Sequence, residues 1–241
     1  MNTQPIEKHV LSDGEVLQVH SIFDTIQGEG PFTGRRSIFI RLAGCNLQCP
    51  QCDTDYTSSV NTLSLDDIRQ KLNEFPGISR PIVVITGGEP FRQNIEPLVR
   101  MLIDSQFTVQ IETNGTLPPP NIAFFELCSV DLSDTRPKCF VVCSPKTGKV
   151  HRNLVPLICA YKYVMGWDSV GADGLPIRAL GHSAAPMVAR PDPGFGGPVY
   201  LQPADYGDEN ANKRNLNACI ASVMRRNFIL QLQVHKILGV E

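Results

Sequence analysis

The feature that most constrains this chain is the run Ile82-Val83-Val84-Ile85, which is apolar at every position rather than at every second one. A strand with one wet face alternates apolar and polar residues, whereas a strand covered on both faces reads as a continuous apolar run. Further β-branched or aromatic runs predict strands at Val19–Thr25, Ser37–Leu42, Ile82–Thr86, Thr108–Thr113, Cys139–Ser144, Tyr161–Met165, Val199–Gln202 and Phe228–Val234. Between them, Leu65–Phe75, Gln93–Ser105, Asn121–Cys128 and Glu209–Arg226 read as helices. Ser64 is placed to cap the first of these, with Asp66 and Asp67 at its positive dipole end. This alternation predicts an α/β fold around a parallel sheet, either a barrel or doubly wound, with function at the carboxyl ends of the strands.

The 241 residues suit one large domain or two small ones, at about 150 residues per domain. Residues 166–198 are rich in Gly and Pro and lack periodicity, so they read as an irregular insertion within a single domain spanning 1–241. Lys and Arg total 22 against 24 Asp and Glu, for a net charge of −2 without a block of like charge. That balance disfavours a partner bound through bulk positive charge, such as nucleic acid or a membrane surface. No apolar run approaches the roughly 18 to 20 residues of a membrane helix, and Met1–Val10 has no apolar signal core, so a cytoplasmic location is expected.

Eight cysteines in a long chain of this type point to metal or cluster ligation before disulfides. Three of them, Cys45, Cys49 and Cys52, form a C-x3-C-x2-C loop directly after the Ser37–Leu42 strand. Three thiolates on one loop suit a 4Fe-4S cluster with one iron left open to an outside ligand. Zinc is the competing reading, with His20, His151 or His235 as a fourth ligand, and buried thiols are the third. Cys139 and Cys143 share one side of a predicted strand, and they read, like Cys128, Cys159 and Cys219, as core.

The cysteine loop is followed, after the next strand, by Thr86-Gly87-Gly88-Glu89-Pro90. The two motifs together resemble the radical S-adenosylmethionine superfamily. The resemblance implies a partial, modified (β/α) barrel, a 4Fe-4S cluster on Cys45, Cys49 and Cys52, and S-adenosylmethionine bound at the open iron. Gly88 and Glu89 then match the segment that receives its amino group: the glycines admit close backbone approach, and a carboxylate accepts from an ammonium. Where the superfamily often has an aromatic residue before the third cysteine, this chain has Gln51.

Seven further segments are similar to one branch, the 7-carboxy-7-deazaguanine synthase family. They are Phe23–Gly30, Phe39–Leu42, Cys52–Thr57, Ile111–Gly115, Cys143–Lys146, Leu201–Pro203 and Gln233–Leu238, in the family's order. The resemblance implies radical ring contraction of 6-carboxy-5,6,7,8-tetrahydropterin to 7-carboxy-7-deazaguanine with loss of ammonia, a lyase step toward queuosine and other 7-deazapurines. It assigns the substrate to Ile26, Gln27, Gly28, Glu29, Arg41, Thr86, His235 and Glu241. It assigns S-adenosylmethionine to Gly88, Glu89, Glu112, Asn114, Ser144, Pro145, Lys146, Gln202, Pro203, Ala204 and Asp205. Thr54 matches a Mg²⁺ ligand, which needs further oxygens from water or the substrate carboxylate. Val234 stands where the family has threonine. A flavodoxin or ferredoxin electron donor and a homodimer are implied as partners. Two other readings stay open: an activating enzyme for a glycyl-radical partner, and a zinc-stabilised binding module.

Overall fold

The apolar runs become strands of one sheet. In the computed structural model, which describes residues 2–75, 82–134, 136, 138–182 and 187–240, the strands are β1 (Val16–Ile26), β2 (Arg36–Leu42), β3 (Asn61–Ser64), β4 (Ile82–Gly87), β5 (Thr108–Thr113), β6 (Cys139–Cys143), β7 (Ile158–Met165), β8 (Val199–Pro203) and β9 (Ile229–Leu230). Their order across the nine-stranded sheet is β3-β1-β2-β4-β5-β6-β7-β8-β9. From β2 to β9 every neighbouring pair is parallel, while β1 runs antiparallel to both β2 and β3. The parallel α/β architecture is as predicted, but the sheet keeps two free edges and does not close into a barrel. Among the described residues, no helix is long and apolar enough to cross a membrane.

Alternation along each strand divides the sheet into two faces with different tasks. One face carries Ile38, Ile40, Leu42, Val83, Ile85, Val109, Ile111, Val141, Tyr161, Tyr163 and Leu201. The helices α1 (Leu65–Asn73), α2 (Glu96–Asp104), α3 (Phe124–Leu127) and α4 (Glu209–Arg225) cover it with Ile68, Leu98, Leu102, Phe124 and Cys219. The residues between these, Phe39, Arg41, Thr86, Glu112, Lys162 and Gln202, turn to the opposite face and line a cavity. Phe140, Val142, Cys159, Ala160 and Tyr200 form a small apolar cluster on the remainder of that face. Four successive buried residues in β4 thus serve two faces, which is why the sequence reads apolar without interruption.

Several elements differ from the sequence reading, each for a local reason. The helix expected from Gln93 begins at Glu96, because Pro90–Arg92 form a separate 3₁₀ turn stitched by Glu89. The helix expected from Asn121 is reduced to Phe124–Leu127, with the Asn121 carboxamide accepting from Phe124 N at 3.1 Å. The strand expected over Phe228–Val234 survives only as β9, and the chain then turns into α5 (Val234–Leu238). Gln231 causes the turn: its buried side chain donates to Gly28 O at 3.1 Å and accepts from Gly30 N at 2.8 Å, so it spans the Gln27–Gly30 loop instead of extending a ladder. Residues 166–198, the predicted irregular insertion, contain no helix or strand longer than an isolated bridge among the described residues.

Gln231→Ala leaves the buried Gly30 N–H of the Gln27–Gly30 loop without its acceptor and Gly28 O with only Val234 N at 3.4 Å, a loss of about 1–3 kcal/mol. Urea unfolding is expected to show a lower midpoint at unchanged slope. An unchanged midpoint means the loop is held by something else.

Candidate active site

The carboxyl ends of β2 and β4 to β8 open into a cavity of about 340 Å³. Its rim is the cysteine loop, and this loop is anchored from four directions. The N-terminal segment lies along it, with Glu7 N donating to Cys45 O at 2.7 Å and Asn2 N to Pro50 O at 3.0 Å. Gln4 adds its side chain, accepting from Tyr56 N at 2.8 Å and donating to Thr54 O at 2.9 Å. From the insertion, Leu180 O accepts from Gln51 N at 3.1 Å. From α5, Lys236 bridges Asp53 at 3.1 Å and Asp205 at 3.3 Å.

The fourth anchor is the turn after β4. Leu42 and Gly87 are partners in the parallel ladder, so both loops leave the sheet at the same height. Gly88 N donates to Leu42 O at 3.3 Å and Glu89 N to Gly44 O at 3.0 Å. A Cβ on Gly88 would overlap the Gly44 carbonyl, and Gly87 has φ +130° with its own space filled by Leu42. Only glycine tolerates both conditions. Glu89 sits below this contact, fully buried, accepting from Phe91 N at 3.1 Å, Thr113 Oγ1 at 2.7 Å and Asn114 N at 2.7 Å. Burial pushes its carboxyl up to about 7 against the pull of these donors. Asn114 continues the chain of contacts, donating to Asn46 Oδ1 at 2.9 Å and so returning to the cysteine loop.

Cys45, Cys49 and Cys52 are unpaired and all line the cavity. Burial pushes Cys45 up to about 12 and Cys49 up to about 11, so these thiols become thiolates by binding metal rather than by titration. Among the described residues, no three His, Cys, Asp or Glu side chains are arranged to hold a single metal ion. Thiolates on one zinc crowd to within about 4 Å of each other, whereas those of a cluster bind separate irons. The donor set, two buried thiols and the half-buried Cys52 around one cavity, fits a cluster.

The cavity floor is polar and charged. Lys162 forms an ion pair with Glu29 and lies 3.9 Å from Glu112. Gln233 donates to Glu29 at 2.9 Å, and Gln202, with its amide nitrogen turned inward, lies 3.2 Å from the same carboxylate. Gln27 and Gln110 donate to Glu112 Oε1 at 3.2 and 2.9 Å. Arg41 contrasts with this network. Its guanidinium stacks over Phe23 at 5.2 Å, Phe23 stacks on Phe39 at 5.3 Å, and its buried Nε has no acceptor among the described residues.

Of the residues expected from the sequence, Ile26, Gln27, Glu29, Arg41, Thr54, Thr86, Gly88, Glu112, Asn114, Ser144, Lys146, Gln202, Asp205 and His235 come together around this cavity with the three cysteines. Gly28 lies just behind it, pressed so closely on His235 that a Cβ would overlap the imidazole. Glu89, Pro145, Pro203 and Ala204 are outside the lining, and Glu241 lies outside the described residues. The sequence reading passed over Lys162 and gave no site role to Phe23, Phe39, Gln233 and Lys236 within the matched segments, and all five line the cavity. A lysine in the middle of an apolar strand was the available signal for Lys162, since unpaired charge is costly there.

A 7-carboxy-7-deazaguanine synthase of Rhodospirillum rubrum is 41% identical to this chain over 95% of its length and 94% of the relative's. This chain belongs to the 7-carboxy-7-deazaguanine synthase family. The synthase of Rickettsia prowazekii is 38% identical, covering 98% of this chain and 94% of its own. The radical SAM superfamily profile matches residues 39–130, from β2 past the end of β5, and membership implies a 4Fe-4S cluster and S-adenosylmethionine. The crystal structure of QueE from Escherichia coli shares the fold, with a TM-score of 0.63 at 24% identity over 90% of this chain and 94% of that one. In this 7-carboxy-7-deazaguanine synthase family member, the turn at Gly87-Gly88 packs on the start of the cysteine loop with no room for a side chain at Gly88. Gly88→Ala forces that turn off Gly44, with an overpacking cost of about 1–3 kcal/mol. Reconstituted iron content and thermal midpoint are both expected to fall, and wild-type values for both would show that the contact is dispensable.

Proposed function

We propose that this chain carries out the radical ring contraction of 6-carboxy-5,6,7,8-tetrahydropterin to 7-carboxy-7-deazaguanine, with loss of ammonia, on the route to queuosine and other 7-deazapurines. The observation that carries the reading is Arg41, a guanidinium with an unsatisfied buried Nε, stacked on Phe23 and lining the same cavity as the three cysteines. A planar fork without an acceptor suits a substrate carboxylate. The cavity volume suits a small molecule.

The cluster and S-adenosylmethionine, when bound, supply the radical that removes a hydrogen atom from the pterin. Cys45, Cys49 and Cys52 would hold the cluster. Gly88, Asn114, Ser144, Lys146, Gln202 and Asp205 would surround S-adenosylmethionine, with Glu89, Pro145, Pro203 and Ala204 supporting them from behind, whereas Glu112, which the resemblance groups with them, shares Lys162 with Glu29 and faces the pterin instead. Glu89 already accepts three protein donors, so its part is to fix the turn that carries Gly88. Ile26, Gln27, Gly28, Glu29, Thr86 and His235 would hold the pterin ring, with Glu241 at the chain end. The chain's residues position the substrate and exclude water, and no side chain need act as a nucleophile.

Thr54 lines the cavity two residues after Cys52, with its hydroxyl 3.5 Å from Asp53. A Mg²⁺ ion here would take Thr54, water and the substrate carboxylate as oxygen ligands. A flavodoxin or ferredoxin as reductant and a homodimer complete the proposal.

Anaerobic incubation of reconstituted protein with the pterin, S-adenosylmethionine and dithionite, followed by mass analysis, is expected to give 7-carboxy-7-deazaguanine and 5′-deoxyadenosine. Deoxyadenosine without consumption of the pterin contradicts the substrate. Arg41→Lys is expected to weaken pterin turnover, by about tenfold for loss of a two-pronged charged contact, while uncoupled S-adenosylmethionine cleavage stays measurable. Equal loss of both places Arg41 at the cofactor. Thr54→Ala is expected to abolish stimulation of turnover by Mg²⁺ with iron content unchanged. Full stimulation in the variant makes Thr54 a turn hydroxyl only.

A further inference from the structure

Lys162 is the one charged residue in the eight-residue strand β7, Ile158–Met165, and it is 8% exposed. Its neighbours Tyr161 and Tyr163 pack into the helix-covered core, so strand alternation turns Lys162 to the cavity face. There its ammonium meets Glu29, from the loop after β1, and Glu112, from β5. Three distant segments of chain therefore share one cation.

We infer that Lys162 is a positioning residue of the site, holding the Glu29 and Glu112 carboxylates as a fixed pair of hydrogen-bond acceptors for the N–H donors of the substrate ring. The inference rests on the substrate class proposed above. Stability alone does not account for the lysine: an ion pair buried at this depth returns about what its desolvation costs, and an apolar residue would complete β7 as well. The carboxylates need it. Two carboxylates on one cavity floor repel each other, and both oppose an anionic substrate. With one shared ammonium between them, their combined charge is a single negative unit, and the guanidinium of Arg41 lines the same cavity from β2.

Hydrogen bonding shows which lone pairs remain for a ligand. Glu29 takes Lys162 on one oxygen and Gln233 on the other, with the Gln202 amide nitrogen 3.2 Å away, which leaves it fewer open lone pairs than Glu112. Glu112 Oε1 takes Gln27 and Gln110, while Oε2 has Lys162 at 3.9 Å and no donor at hydrogen-bond distance among the described residues. A carboxylate pinned on one side and open on the other matches the adjacent amino and ring N–H donors of a 2-amino-4-oxopyrimidine edge. Burial pushes the Glu29 carboxyl up, but Lys162, Gln233 and His235 outweigh it and hold the group below its ordinary value. Lys162 is raised in turn, burial being outweighed by Glu29 and Glu112.

The test is a double-mutant cycle on reconstituted protein, comparing wild type, Lys162→Met, Glu29→Gln and the double variant. The readouts are KM and kcat for 6-carboxytetrahydropterin, its dissociation constant by anaerobic calorimetry, and iron content with the visible spectrum. Lys162→Met is expected to raise KM and the dissociation constant about tenfold or more with iron content unchanged, the loss of an interaction with a charged group. Because Lys162 acts through the two carboxylates it holds and Glu29→Gln removes one of them, the double variant is expected to lose less than the product of the two single losses. If Lys162→Met does not fold, the double variant against Glu29→Gln alone decides: a further loss well under tenfold is expected, and a further loss of about tenfold or more overturns the inference. Unchanged KM in Lys162→Met, or a double variant whose loss is the product of the two single losses, overturns the inference. A wild-type protein that neither binds nor converts the pterin overturns the substrate reading and this inference together. A wild-type protein that converts it while Lys162→Met matches it overturns this inference alone.

Discussion

The geometry of the site depends on one backbone pairing, the parallel register that sets Leu42 opposite Gly87. In a parallel ladder the strands end side by side and their following loops emerge together. Here the two loops are the cysteine loop and the Gly87-Gly88 turn, which interlock through Gly88 N on Leu42 O and Glu89 N on Gly44 O. A shift of one residue would exchange the faces of β4, burying Thr86 in the helix-covered core and turning Val83 and Ile85 to the cavity. The apolar content of the core thus fixes the register, and the register places three thiols above a polar cavity.

Electrostatics then divides that cavity. On the floor, Lys162 pairs with Glu29 and neutralises part of the charge of Glu112, supported by Gln27, Gln110 and Gln233. Arg41 stands apart on Phe23 with an open Nε. A ligand with hydrogen-bond donors at one end and a carboxylate at the other matches this division. Buried polar groups are tolerated where they are paired, so an unpaired one beside a cavity identifies the position that a ligand fills. The thiols make a similar demand, since burial keeps Cys45 and Cys49 protonated until iron replaces the proton.

Much of this was legible in the sequence, because the decisive signals are local. Ile82–Ile85 announced a strand covered on both faces, and Cys45, Cys49 and Cys52 followed by Gly87-Gly88-Glu89 announced the loop and its support. What escaped was set by tertiary context. β3 is a polar edge strand, Asn61-Thr62-Leu63-Ser64, with no apolar period to reveal it. α5 replaces the end of a predicted strand because Gln231 is engaged with the Gln27–Gly30 loop, some two hundred residues earlier in the chain. Asn2, Gln4 and Glu7 hold the cysteine loop through side-chain and backbone contacts that leave no periodic trace. Lys162 was hidden for the opposite reason: the strand around it is so apolar that the pattern reads as core.

The central claim is that this cavity orients a carboxylated pterin between Arg41 and the Glu29–Lys162–Glu112 floor, beneath the cluster loop. A crystal structure with the pterin and S-adenosylmethionine bound tests it most directly. The account predicts a substrate carboxylate oxygen within about 3.2 Å of Arg41 Nε, with the ring's N–H edge on the floor carboxylates. A pterin bound the other way round, with its carboxylate on Lys162 or Lys146 and Arg41 still without an acceptor, would contradict it.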